Sequence, residues 1–96
     1  MIVVAKLKAK KGSEQELETA LRDMVKKVAS EEGTLTYTLH RSLSDPSVFL
    51  FYEKYKDHEA FGRHSETEHF KELMGITAPL LDGAPSVELF EEMASL

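Results

Sequence analysis

Apolar residues recur at every second position from Ile2 to Ala9. Val3, Ala5, Leu7 and Ala9 share one side, while Ile2 and Val4 give way to Lys6 and Lys8 on the other. A period of two predicts a strand. Gly12 breaks it, and Ser13 followed by Glu16 reads as a capping box that opens a helix. Leu17, Leu21, Met24, Val25 and Val28 then recur at helical spacing, one apolar stripe reaching about Ser30. Gly33 is placed to end that helix in a left-handed conformation.

Alternation resumes over Thr34 to Leu43, with Leu35, Tyr37 and Leu39 on one side and Thr36, Thr38 and His40 on the other. This pattern suits a strand with one polar or half-covered face. Ser44-Asp45-Pro46 is a turn, since a side-chain acceptor precedes a residue of preset φ. Ser47 to Tyr55 follows as a third strand, hairpin-paired with the second. Its run Val48, Phe49, Leu50, Phe51 and Tyr52 does not alternate, which predicts a central strand buried on both faces. Asp57 caps a short helix with Ala60 and Phe61 inside. Ser65 with Glu68 forms a second capping box, opening a helix through Phe70, Leu73 and Met74. Gly75 and Pro79 interrupt it, and Leu80 and Leu81 continue on a further turn. Val87, Leu89 and Phe90 make the last strand.

The order β-α-β-β-α-β gives an α+β fold, one four-stranded antiparallel sheet with its helices on one face, over a single domain spanning residues 1–96. No remaining element covers the other face, where Ile2, Val4 and one register of the third strand place apolar side chains. A soluble chain rarely leaves such a face bare. A second copy is the simplest cover, which predicts a homodimer through the open sheet face.

A net charge of −5 excludes the phosphate-neutralising surface of a nucleic-acid binder. Lys6, Lys8, Lys10 and Lys11 make only a small basic patch, read as a solvated strand end. There is no cysteine, so thiolate sites and disulfides are ruled out. No apolar run approaches a membrane span, and the N-terminal lysines follow the apolar residues instead of preceding them, unlike a signal peptide. The expected localisation is cytoplasmic.

The segments EEGTLTY, SDPSVFLFYEKY and DHEAFGRHSETEHF, within this element order, resemble the antibiotic biosynthesis monooxygenase domain of the dimeric α/β-barrel superfamily. The most specific part is Tyr52-Glu53, Tyr55, Asp57, Ala60, His64, Ser65, His69 and Phe70. The resemblance implies a ferredoxin-like protomer whose sheet packs on that of its partner, with a pocket between sheet and helices. Some members of the family oxygenate quinols, anthrones or polyphenols without metal or flavin. Others degrade haem or isomerise a phosphorylated sugar derivative.

Oxygenation without a cofactor needs a substrate that can be deprotonated to an electron-rich anion, a dry cavity, a base, and donors for that anion. His64 is the candidate base, because an imidazole of ordinary pKa near 6.5 removes protons at neutral pH; the competing role is satisfying loop backbone or capping a helix. Glu53 continues the register of Phe49 and Phe51 and is the second catalytic candidate, orienting His64 or else pairing with a lysine. Tyr37, Tyr52, Tyr55, Phe51 and His69 are candidates for substrate contact, against ordinary core or interface roles. His58 and His40 read as surface or interface residues.

No metal is expected, because His64 and His69 are five apart and not at the three or four that put two ligands on one helix face. Haem-degrading relatives use an asparagine, a tryptophan and a histidine on the later helix. This chain has neither Asn nor Trp, and Met74 stands where that histidine would fall. The expected function is cofactor-independent monooxygenation of a small aromatic, quinol-like or polyphenolic molecule by O₂. The alternatives are an isomerase of a small phosphorylated carbonyl compound, against which stands the lack of a Gly-rich phosphate cradle, and a non-catalytic ligand-binding or stress-related dimer.

Overall fold

A computed structural model describes residues 1–96. Strand β1 (Ile2–Lys8) leads to helix α1 (Glu14–Val28) and the hairpin β2 (Thr34–Arg41) and β3 (Val48–Tyr55). Helices α2 (His58–Glu66) and α3 (Glu68–Thr77) follow, then a 3₁₀ turn at Ala78–Leu80 and strand β4 (Ser86–Phe90). The sheet order is β2-β3-β1-β4, antiparallel throughout. This is the ferredoxin-like arrangement expected from the element order, with the second helical segment divided in two.

Alternation decides which strand faces meet the helices. Leu7, Phe49 and Phe51 point to the same side as α1 and close a core with Leu17, Leu21, Met24, Val28 and Leu73. Leu17 and Leu21 are fully buried, one turn apart on the predicted stripe, and each side chain sealed in this way contributes roughly 1.5–3 kcal/mol. A smaller cluster of Val3, Tyr55 and Ala60 fixes α2 to the far end of the sheet.

Five local expectations are corrected. Ser13 does occupy the N-cap of α1, but its side chain makes no capping bond; Glu14 accepts from the Gly12 N–H at 2.7 Å instead, made possible by the positive φ of Gly12. Ser65 does not open α3. It lies inside α2, donating to the Phe61 carbonyl at 3.2 Å, and Thr67 caps α3 by accepting from the Phe70 N–H at 3.2 Å. Thr67 also donates to the His64 carbonyl at 2.8 Å, so one hydroxyl ends one helix and starts the next.

Gly33 is not left-handed. α1 has already ended at Val28, and Gly33 is needed for space: a Cβ there would lie 2.5 Å from the Ala60 Cβ. Gly75 does not interrupt α3, which continues to Thr77. Finally, β3 alternates. Phe49, Phe51, Glu53 and Tyr55 are buried, whereas Tyr52 on the opposite face is 37% exposed, because no helix covers that side; of the apolar residues expected there, Ile2 is nonetheless buried at its end of the strand.

Candidate active site

Three elements converge on His64. Asp57 caps α2 by accepting from the Ala60 N–H at 2.8 Å, setting the helix phase so that Ala60 and His64, one turn apart, both face inward. Close contact of Ala60 with Gly33 then brings the α1–β2 connection against α2. That connection carries Glu31, whose Oε1 lies 2.8 Å from His64 Nδ1. Around the imidazole stand Tyr37, Tyr55 and Phe70, with ring centroids 5.5, 5.4 and 5.2 Å away.

Glu31 is the centre of a polar cluster that sequence reasoning missed. Thr34 Oγ1 donates to its Oε1 at 2.8 Å, and His69 Nε2 is bonded to its Oε2. Burial raises the carboxyl pKa, but the hydrogen bonds from His69, Thr34 and His64 outweigh it and hold Glu31 below its ordinary value. Burial has the larger effect on His64 and lowers the imidazole pKa against the attraction of Glu31. Both shifts describe one state at neutral pH: an ionised Glu31 accepting Nδ1–H from a neutral His64. The remaining nitrogen, Nε2, then carries a lone pair.

Nε2 has no protein partner, and no sealed side-chain nitrogen or oxygen in the molecule lacks one. It is therefore reachable although His64 is only 2% exposed. The imidazole forms part of the wall of an apolar cavity of about 110 Å³, where ten of thirteen lining residues are hydrophobic. Tyr37, Phe51 and Glu53 line the same cavity, with Phe70 and Met74 from α3 opposite the sheet. On its other side His64 borders a polar, open cleft of about 350 Å³ shared with Glu31, Arg63 and Lys56. The ring thus lines both an apolar space and a polar one.

Glu53 does not orient His64. It sits between Tyr37 and Val3 in the sheet register and accepts from the Tyr55 hydroxyl at 2.6 Å. Burial, opposed by that bond and helped by the charge of Glu31, pushes its carboxyl up to about 7. Burial likewise raises the hydroxyl pKa of Tyr37 and of Tyr55, so both remain neutral donors.

The structure thus gathers His64, Glu53, Tyr37 and Phe51 on one cavity, with Tyr55 one layer behind and His69 joined through Glu31. It does not bring Tyr52 there, since Tyr52 lies on the open sheet face. His58 and His40 are exposed. A larger, shallow cleft of about 580 Å³ along α1 and β2, bordered by Arg22, Lys26 and Arg41, receives only Tyr37 among the candidates. One sequence signal could have pointed to Glu31: it lies just past the C-cap Ala29 of α1, where the helix dipole disfavours a carboxylate by roughly 0.3–1 kcal/mol. An acid in that position needs donors from elsewhere.

Comparison with known proteins agrees with this architecture. The family model "Antibiotic biosynthesis monooxygenase" matches residues 1–75. A Bacillus subtilis protein, "Putative monooxygenase YcnE", is 30% identical over 71 residues, covering 74% of this chain and 75% of that protein. A solved structure from Caulobacter crescentus, described as a "putative antibiotic biosynthesis monooxygenase", superposes with a TM-score of 0.86 at 35% identity, over 91% of this chain and 83% of that one. A conserved protein from Methanosarcina mazei superposes with a TM-score of 0.90 at 25% identity, over 95% and 90% of the two chains.

Proposed function

This chain belongs to the antibiotic biosynthesis monooxygenase family, and from that premise we propose that it is a cofactor-independent monooxygenase of single-ring, quinol-like substrates, with His64 as the base. A monooxygenase-like function follows from the family. The finer reading rests on one observation, the unpartnered Nε2 of His64 at an apolar cavity whose other nitrogen is held by Glu31.

The chemistry runs through that nitrogen. Nε2 takes a phenolic proton, and the quinolate passes an electron to O₂. Recombination of the radical pair forms a ring C–O bond, His64 returns the proton to the peroxide, and loss of water leaves a hydroxyquinone that retains one atom of O₂. The protein supplies a base, a neutral donor in Tyr37, and a lining that keeps water from the intermediates. Glu53, half-ionised near neutrality, can donate to or accept from a second ring oxygen. Cavity size supports a small substrate: about 150 Å³ admits benzene, so the 110 Å³ here takes no more than a single ring and excludes a polycyclic one. The mostly hydrophobic lining favours this over a phosphorylated substrate.

The assembly we propose is a homodimer through the open sheet face. Val4, Leu50 and Tyr52 lie on that side of β1 and β3 and receive no covering element from their own chain. No helix is long and apolar enough to cross a membrane.

The test is oxygen uptake by the full chain against a panel of single-ring and polycyclic quinols, with His64→Ala alongside. Uptake on single-ring quinols that the variant loses is expected. No uptake on any of them, or unchanged rates in the variant, overturns the reading; turnover of a phosphorylated carbonyl compound without O₂ would replace it with an isomerase.

A further inference from the structure

One carboxylate serves two imidazoles at very different depths. The His64 side chain is 2% exposed and that of His69 is 19% exposed, and they occupy opposite oxygens of Glu31. We propose that Glu31 makes the two histidines alternative carriers of one proton, so that uptake at His64 is answered by release to water at His69. This deepens the role of His64 as base and rests on it; His69 acts through Glu31 and is a positioning residue.

The physical reason is charge. Glu31 is a single negative centre, so it offsets one imidazolium and not two, and a second positive charge beside a buried ring is costly. The positive charge of His69 opposes protonation of His64, as its separation from it by only one carboxylate requires.

Other charged groups do not replace this pairing. From the strands, Glu53 and Tyr37 share the cavity with His64 and Tyr55 packs beside its ring, while Arg63 and Lys56 border its cleft with Glu32. Around His69, Asp23 and Lys27 of α1 and Glu72 of α3 share a surface depression. Lys27 is bonded there to Asp23 at 3.0 Å, with Glu72 at 3.8 Å, which leaves Glu31 as the carboxylate of His69.

In turnover, the substrate proton goes to His64 Nε2, and His69, the more exposed of the two rings, gives a proton to water. His69 keeps its Nε2–H bond to Glu31 throughout. One proton leaves the substrate and one reaches bulk water, and the same path run in reverse returns a proton to the peroxide before water is lost. The net charge of the three-residue cluster is the same before and after.

The experiment is a ¹⁵N-histidine NMR titration of the full chain beside His69→Gln and His69→Lys. Gln keeps a donor for Glu31 without charge, and Lys brings a charge that does not leave in this pH range. The wild-type His64 curve is expected to show two steps. In His69→Gln its midpoint moves up with a single step, and in His69→Lys it moves down. A merely structural His69 would shift both variants in one direction or neither, and either outcome overturns the proposal, as does a single-step wild-type curve. The acid limb of kcat/KM for quinol oxidation should follow the same order. Absence of oxidation would count against the assigned reaction, while the titration still decides the coupling. If His69→Lys does not fold, the wild-type curve and His69→Gln suffice.

Discussion

His64 Nδ1 and Glu31 Oε1 meet at 2.8 Å across a separation of 33 positions in the chain. The contact fixes which nitrogen of the imidazole carries hydrogen and leaves the other with a lone pair, in a ring that lines the apolar cavity. A histidine without such a partner would divide itself between two tautomers, one of them with no lone pair toward the substrate.

Glu31→Gln should therefore lower kcat/KM for quinol oxidation by on the order of 10²-fold or more, by analogy with the loss of an orienting carboxylate beside a catalytic histidine. His64→Ala should lower it by about 10²–10⁴-fold, the range of general-base catalysis. In ¹⁵N spectra, His64 should be the Nδ1–H tautomer in wild type and a mixture in Glu31→Gln. Activity in that variant equal to wild type would separate Glu31 from the chemistry.

Gly33→Ala should destabilise the fold by about 1–3 kcal/mol, the usual cost of overpacking, because its Cβ would fall 2.5 Å from that of Ala60. The strain acts where α2 meets the connection bearing Glu31, so activity should fall together with stability. Adding Ala60→Gly removes the clash and should recover part of the loss, less the roughly 1 kcal/mol that glycine costs inside a helix. Urea denaturation of the single and double variants measures both effects. Equal stability of Gly33→Ala and wild type would mean that the approach of the two segments is loose.

Glu53 carries a pH-dependent cost. Its pKa rises from an ordinary 4.5 to about 7 in the folded chain, so the folded state holds its proton more tightly than the unfolded one. Stability is unpenalised below the lower value, falls as pH rises between the two, and has lost about 3 kcal/mol above the upper one. The depressed pKa of His64 works in the opposite sense, adding stability as pH climbs toward 6.5. The difference between wild type and Glu53→Gln isolates the carboxylate: the variant should be relatively more stable at pH 8 than at pH 5. A difference independent of pH would contradict the raised pKa.

Tyr52→Lys should weaken self-association by at least tenfold and leave the protomer folded, since Tyr52 is 37% exposed on the bare sheet face and touches neither the helical core nor the cavity. Sedimentation velocity at micromolar concentration should give a dimer for wild type and more monomer for the variant. A monomeric wild type removes the assembly.

The chain determined its own elements through local physics. Period-two runs made strands, the Leu17 to Val28 stripe made α1, and Asp57 capped α2. These patterns are enough to order the topology, because alternation and helical spacing are properties of neighbours in sequence. The same locality misled at Ser65, where a cap-competent side chain bonds back within a helix and Thr67 takes its place. It also made Gly33 look like a helix terminator, when the reason for glycine is the methyl group of Ala60. His64 was legible as a candidate base from its residue type and its place in the family segment. What made it one-sided was not. Packing of α2 against the α1–β2 connection brought Glu31 between two histidines, and β3 alternation separated Glu53 from Tyr52. Both depend on distances across the fold, which no spacing along the chain encodes.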